Sequence, residues 1–475
     1  MLSYNFKYEL KTLIRSKWIQ ALSGILLVVM LFAGFNGKQK VDKRHYDIQK
    51  VKEQVAEDDR EMISLLDSVA QGHKTSVSPW RIPTSPMVVA NYYPRVVSMS
   101  PQALTFTAVG QSDLFTHYVQ PKVYGDDFSL NYTEMSSPVQ LLFGSFDLSF
   151  VIIYLLPLLI IAFTYNILSN EKESGSLKIL ASQPMSIYIW LLQKLLLRFF
   201  WLAIITLFII TLTFLLNDFS FTDNLGSFLS FAGLVTVYML FWFSVSFIVN
   251  LLVGSSAKNA ISLLGLWVLI VLMLPAIVSQ LGNTIYPVPS RTKMINEIRT
   301  IKAEAKKQQD KILDNYLRDH PEYATNNSGN YSFWHKYIAS QKLVKDKIAP
   351  LVADYDLQLE KQQQWIQQWQ YISPSIILQQ SFNQLAGTST ASYEDFRKQV
   401  IGFSEKWKEH FIPMLYKDKT FKSSLVKELP TFSYTPYRYN KGGQHLFILL
   451  VFPILIGAIG WYFFNNKLKK GSVIT

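Results

Sequence analysis

Six long apolar blocks constrain this chain more than any other feature: 18–36, 148–169, 187–216, 227–253, 260–282 and 444–464. A helix advances about 1.5 Å per residue and a hydrocarbon layer is about 30 Å thick, so each block is near or above the length needed to cross it. Of the 475 residues 49% are hydrophobic, and their concentration in blocks rather than in an even spread argues against a string of soluble domains. The expected fold is a polytopic all-α membrane protein with six transmembrane helices.

Charge placement gives the orientation. The net charge is +12; in a membrane protein cytosolic Lys and Arg explain such a balance, and no basic-aromatic motif points to nucleic acid as a partner. Residues 1–17 carry Lys7, Lys11, Arg15 and Lys17 around Phe6, Leu10, Leu13 and Ile14 at helical spacing. That pattern suits an interfacial amphipathic helix resting on membrane lipid. The first span follows without an evident small-residue cleavage site and reads as an uncleaved anchor. Lys194 and Arg198 lie in the first turns of the third block, from where their side chains can reach the interface. The connection 217–226 has Asp218 and Asp223 but no cation, whereas 254–259 has Lys258 and no acid, and the tail 465–475 holds Lys467, Lys469 and Lys470. Strict alternation across six spans accommodates all of these with both termini in the cytosol. The basic start of the region after span 1, Lys38 to Arg44, runs against the rule, which is weak for long translocated segments.

Two large regions then fall outside, at 37–147 and 283–443, expected to be mostly helical (α or α+β). The first opens with a charged, helix-compatible stretch to about Ala70, whose Ile48, Val51, Val55, Met62 and Leu65 form an apolar stripe; it continues as loops with short strands. The second reads as two long amphipathic helices, 291–318 and 335–370, an interruption at Pro374, Gly387 and 388–392, and a further helix over 393–411. With no cysteine in the chain, these regions must hold together by their own cores.

Chemistry is sparse. The seven histidines (45, 73, 117, 320, 335, 410 and 445) show no metal-ligand spacing, and no Gly-x-Ser-x-Gly or His-Glu-x-x-His motif occurs. Gly254-Ser255-Ser256-Ala257-Lys258 lacks the second glycine of a phosphate loop. The chain is not expected to be an enzyme by itself, nor to bind a metal or other cofactor. The spans hold no Asp, Glu or His near a midplane, and Asn250 is the most polar candidate. Ion-coupled transport relies on such groups, so a transporter built this way must take its energy from another subunit.

Attention then falls on 170–186, the short charged segment between blocks two and three. Glu171 and Glu173 supply charge at a helix start, Gly175 permits a sharp bend, Leu177 and Leu180 sit three apart on one apolar face, and Gln183-Pro184 ends the unit. From the residues alone it is equally an interfacial turn and a contact for a partner ATPase. The run Asn170-Glu171-Lys172-Glu173-Ser174-Gly175-Ser176-Leu177-Lys178-Ile179-Leu180-Ala181-Ser182-Gln183-Pro184 resembles the Glu-x-Glu-x-Gly-Thr/Ser-Leu-…-Ser-x-Pro signature of ABC-2-type permeases. In that family the segment follows the second span and includes the coupling helix, which docks on the nucleotide-binding subunit. Lys194 stands where these permeases often carry Lys.

The long insertions after spans 1 and 5 resemble those of a subgroup related to copper-enzyme maturation and gliding-motility permeases. Ser373-Pro374, then Leu385-Ala386-Gly387-Thr388 and Phe396, is similar to a segment of that subgroup's second insertion. The resemblance implies the permease subunit of an ATP-driven ABC transporter in a bacterial cytoplasmic membrane. An ABC ATPase would carry ATP and magnesium, and a second copy or a similar permease would complete the complex. Glu171, Glu173, Gly175, Leu177, Leu180 and Pro184 would take the ATPase stroke, with Lys194, Arg198 and Lys258 as secondary contacts. Force transmission to a periplasmic partner without transport, and an ATPase-independent sensor or scaffold, are the alternatives.

Overall fold

The computed structural model describes residues 2–74, 77–110, 112, 116–124, 145–182, 186–324, 331–437 and 442–469. Six of its helices are long and apolar enough to cross a membrane, as expected of a multi-pass membrane protein.

Helix α1 (Leu2–Arg15) leads into α2 (Lys17–Ala70), which carries the first apolar block and then continues unbroken through the charged stretch. At 54 residues it is about 80 Å long. The boundary expected at 37 is therefore a change of surroundings, not of backbone. Gly34 and Gly37 face inward because α2 passes tightly over its neighbours there. A Cβ at Gly34 would collide with Thr213, and one at Gly37 with the carbonyl of Phe106. Beyond α2 come α3 (Pro86–Tyr92) and a two-residue antiparallel pairing of β1 (Val97–Ser98) with β2 (Tyr118–Val119).

The second long helix, α4, begins at Leu148–Phe150, passes through a π-helical turn at Val151–Leu155 and continues over Leu156–Thr164. Short helices α5 (Ser169–Glu173) and α6 (Ser176–Ala181) follow. The remaining long apolar helices are α7 (Ile187–Leu216), α8 (Phe221–Leu252), α9 and, near the C-terminus, α15 (Gly442–Lys469). Helix α9 runs over Ser256–Trp267, a second π-helical stretch at Val268–Met273, and Leu274–Ile285.

Two thirds of the apolar window of α8 is buried (67%), against 17% for α9 and α15, so α8 is the axis on which the bundle packs. Each π-helical stretch diverts carbonyls from the helical ladder, where lipid could not satisfy them. Side chains meet this need: Tyr238 donates its hydroxyl to Ile153 O (3.1 Å), Trp267 Nε1 to Tyr154 O (3.2 Å), and Ser373 and Ser375 donate theirs to Ile270 O (2.7 and 3.0 Å).

That last pair changes the role expected of Pro374. It does not interrupt a helix; it opens α13 (Pro374–Leu385), with Ser373 as N-cap. Proline suits the first turn because its missing N–H has no intrahelical partner there. Ile377, Leu378 and Phe382 of α13 then join the bundle core, with Phe382 stacked on Phe231 of α8 at 4.6 Å. Gly387 (φ +67°) turns the chain away, Thr388 donates to Ala108 O (2.6 Å), and Thr105 donates to Ala386 O (2.8 Å).

The stretch expected as one helix over 291–318 is two, α10 (Arg291–Lys307) and α11 (Gln309–Asp319), broken at Gln308, where φ is −115°. They pack on α12 (Phe333–Trp369) around Met294, Ile298, Leu313 and Val344. A separate core unites the far end of α2 (Met62, Leu66), α3, β1 and α14 (Thr390–Tyr416), centred on Trp407, whose Nε1 donates to Ala90 O at 3.1 Å. The two insertions thus fold together.

Candidate coupling site

The segment after α4 is built on a helix end that does not close normally. Past Thr164 the chain turns before α5, leaving backbone groups to be satisfied from outside. Buried Asn250 of α8 donates to Thr164 O (2.9 Å) and accepts from Leu168 N (3.3 Å), while Asn259 of α9 donates to Tyr165 O (2.9 Å). The polar residue singled out in α8 is thus an anchor for this turn, and Asn259 shares the task.

Gly175 separates α5 from α6 with φ +78°, a left-handed backbone that favours glycine. No atom lies within 4 Å of where its Cβ would be, so the requirement is conformational rather than steric. This break corrects the expectation that both acids open one helix. Glu171 lies in the first turn of α5, but Glu173 is its last residue. The Glu173 carboxylate instead reaches the start of α9, accepting from Ser256 N (2.6 Å) and Ser256 Oγ (2.8 Å). A helix N-terminus presents free N–H groups and a positive dipole end, which this carboxylate complements.

Glu171 belongs to a different network. Its Oε2 accepts from Ser176 Oγ across the glycine turn (2.8 Å), and its Oε1 from Lys194 Nζ (3.2 Å). Lys194 lies 4.3 Å from the Trp190 ring centroid and 3.6 Å from Glu9 Oε2. Arg198 engages Glu9 Oε1 through Nη2 (2.9 Å) and Nε (3.1 Å), and its Nη1 donates to Phe163 O. Two acids and two cations are thereby balanced within the chain. The side chains of Lys194 and Arg198 turn inward, not out towards a partner as expected, because Glu9 and Glu171 hold them. Glu9, 7% exposed, is a site residue that no sequence motif marks. The available signal was a lone acid in a basic helix, facing two cations spaced four apart on one side of α7.

Leu177 is also inward, 5% exposed and packed with Ile187 beside Leu168, Tyr188 and Leu251. Among the described side chains of α6 the exposed apolar one is Ile179, at 69%. Lys172 and Lys258 are exposed on the same end of the bundle. The side chain of Leu180, and Pro184 altogether, lie outside the described residues. The outer surface thus offers Lys172, Glu173, Gly175, Ile179 and Lys258, while Glu171, Leu177, Lys194 and Arg198 form a support behind it.

Among the described residues no group of three or more His, Asp or Glu side chains converges as a metal site. Residues 291–435 match a family model described as a domain of unknown function (DUF3526). The match covers α10 to α14 and the loop after it and lies outside all six long apolar helices. No curated protein matches the chain, and no solved structure does.

Proposed function

We propose that this chain is the membrane subunit of an ATP-driven ABC transporter, and that 170–186 is the surface on which a separate ATPase acts. The observation that carries this is the way a short exposed unit is braced from behind by charges on two other helices, α1 and α7. Displacement of α6 reaches Glu171 through Ser176, then Lys194 and Arg198 of α7, Glu9 of α1 and the end of α4 at Phe163. Through Glu173 the same displacement reaches the start of α9. A loop that merely joined two spans would need no such bracing.

On this reading both termini and the 170–186 unit are cytosolic, the insertions lie outside a bacterial cytoplasmic membrane, and ATP and magnesium reside on the partner. A second copy or a similar permease completes the complex. Alpha helix continuity favours a second form of the proposal, in which the same ATPase drives remodelling outside the membrane without transport. Helix α2 connects the bundle to the outer core in one 54-residue rod, a suitable transmitter of force to a periplasmic partner.

Purification of the tagged chain from its native membrane, followed by mass spectrometry and an ATP hydrolysis assay, tests the proposal. Recovery of an ABC ATPase that is lost on Glu173→Lys is the expected result. Recovery of the chain without any ATPase in mild detergent would move the reading to an ATPase-independent sensor or scaffold. Reconstitution in proteoliposomes separates the two ATPase-linked forms, since vectorial substrate movement counts against pure force transmission.

A further inference from the structure

At the opposite end of α8 from the coupling site lies a cavity of about 1290 Å³, bounded by α8, α13, α15, the 96–104 loop and the 432–437 segment. Asn224 marks its side of α8 and Asn250 the other, 26 residues away, or about 39 Å along the helix. The volume exceeds that of most small-molecule pockets.

The chemistry of the wall is unusual for its size. Six serines line it, Ser227, Ser230 and Ser381 among them, yet among the described lining residues there is no carboxylate and the sole cation is Lys52. Gln384 Oε1 and Tyr434 Oη also face buried surroundings without a hydrogen-bond partner among the described residues. Both atoms lie within the wall itself and have no surface open to the cavity. Burial, aided by the Asp395 charge, pushes the Tyr434 hydroxyl up to about 12, which keeps it a donor. Leu234, Leu385 and Leu446 supply an apolar floor. Just outside, Leu229 (58% exposed) and Phe447 (68%) sit on the apolar faces of α8 and α15, so the cavity adjoins the surface that lipid would cover.

We infer that this cavity binds a phosphodiester carrying a hydroxylated headgroup, with Lys52 opposite the phosphate and the serines on the hydroxyls. Among the described lining residues the absence of carboxylates disfavours a cationic headgroup, and Lys52 suits a negative charge. A membrane phospholipid and a soluble phosphodiester share this chemistry. The inference does not depend on the ATPase reading, since binding is measured on the chain without nucleotide.

The cysteine-free sequence gives a clean background for the test. Ser227→Cys and Gln384→Cys, each made in the full chain in detergent, are reacted with a polar maleimide with and without dihexanoyl phosphatidylglycerol. The expected result is saturable protection, slowing modification at both sites at least fivefold, with Glu304→Cys on α10 unaffected. Adding Lys52→Gln to Ser227→Cys should weaken the protecting affinity several-fold. Equal protection by glycerophosphoglycerol supports the site and assigns it to soluble phosphodiesters; protection by the lipid alone supports it and assigns it to the membrane. Absence of protection by either compound overturns the inference, as does equal protection by dihexanoyl phosphatidylcholine.

Discussion

Glu9 carries more of the charge network behind 170–186 than any residue in that segment, because both cations of α7 converge on it. With its side chain only 8% exposed, removing one partner leaves a charge stranded in a poorly solvated place. Arg198→Leu should therefore destabilise the chain by roughly 3 kcal/mol, and Glu9→Gln by a comparable amount. The double variant should recover part of the loss, a non-additivity that thermal unfolding of the four proteins would measure. Strict additivity would mean that the pair is not coupled. Glu173 makes a different prediction. Glu173→Gln keeps an acceptor for Ser256 but removes the charge that meets the α9 dipole, so it should retain the fold and weaken ATPase recovery less than Glu173→Lys. Equal loss of ATPase from both variants would show that the charge itself contacts the partner. His335 supplies a pH signature in the 291–435 region. Its Nδ1 accepts from Ser332 N (3.2 Å), and burial holds its pKa below the ordinary 6.5, partly opposed by Asp418. Burial also lowers His410, against Glu428. Both bind protons less readily folded than unfolded, so the unfolded state takes up more protons as pH falls through about 6.5 and stability declines there. Unfolding monitored between pH 7.5 and 5 should show that decline, and His335→Gln should reduce its slope; an unchanged slope would remove His335 from the account.

Among the elements, α2 is the one whose length was hidden by its own composition. The apolar block ends and the charged stretch begins near Gly37, which reads as a boundary because hydropathy reports surroundings and not backbone continuity. What the sequence held was an apolar stripe through Ile48 and Met62, and both side chains are buried in the structure. If α2 transmits force, Lys50→Pro should break the rod in its exposed part. The substitution costs about 3 kcal/mol locally and should abolish coupled activity while the ATPase still copurifies. Retained coupling in that variant would argue that α2 is a passive support. Gly37→Ala should destabilise the chain by about 1–3 kcal/mol, since the helix must move off the Phe106 carbonyl. The long apolar helices were legible because span length and composition are local properties. The start of α13 at Pro374 was not, because it is fixed by a distant contact. Ser373 and Ser375 serve a carbonyl that is free only because α9 is π-helical at Ile270. In the candidate site the same limit applied: the bend at Gly175 was readable, but the inward turn of Lys194 and Arg198 depended on α1 and α7 meeting, and that of Leu177 on Ile187 and Leu251.

At the scale of the whole molecule, two ends of one bundle are differently furnished. One presents short charged helices braced by Glu9, Glu171, Lys194 and Arg198; the other holds a hydroxyl-lined cavity beneath a domain made from both insertions. Helix α8 runs between them and is the best buried of the long helices. We propose that the 170–186 end receives an ATPase. A photo-crosslinking residue placed at Ile179, which is 69% exposed on α6, compared with one at Leu225, which is 52% exposed at the far end of α8, tests it in native membranes. The account predicts that Ile179 captures an ABC ATPase subunit and that Leu225 does not. Capture of no ATPase from Ile179, or equal capture from both positions, would contradict it.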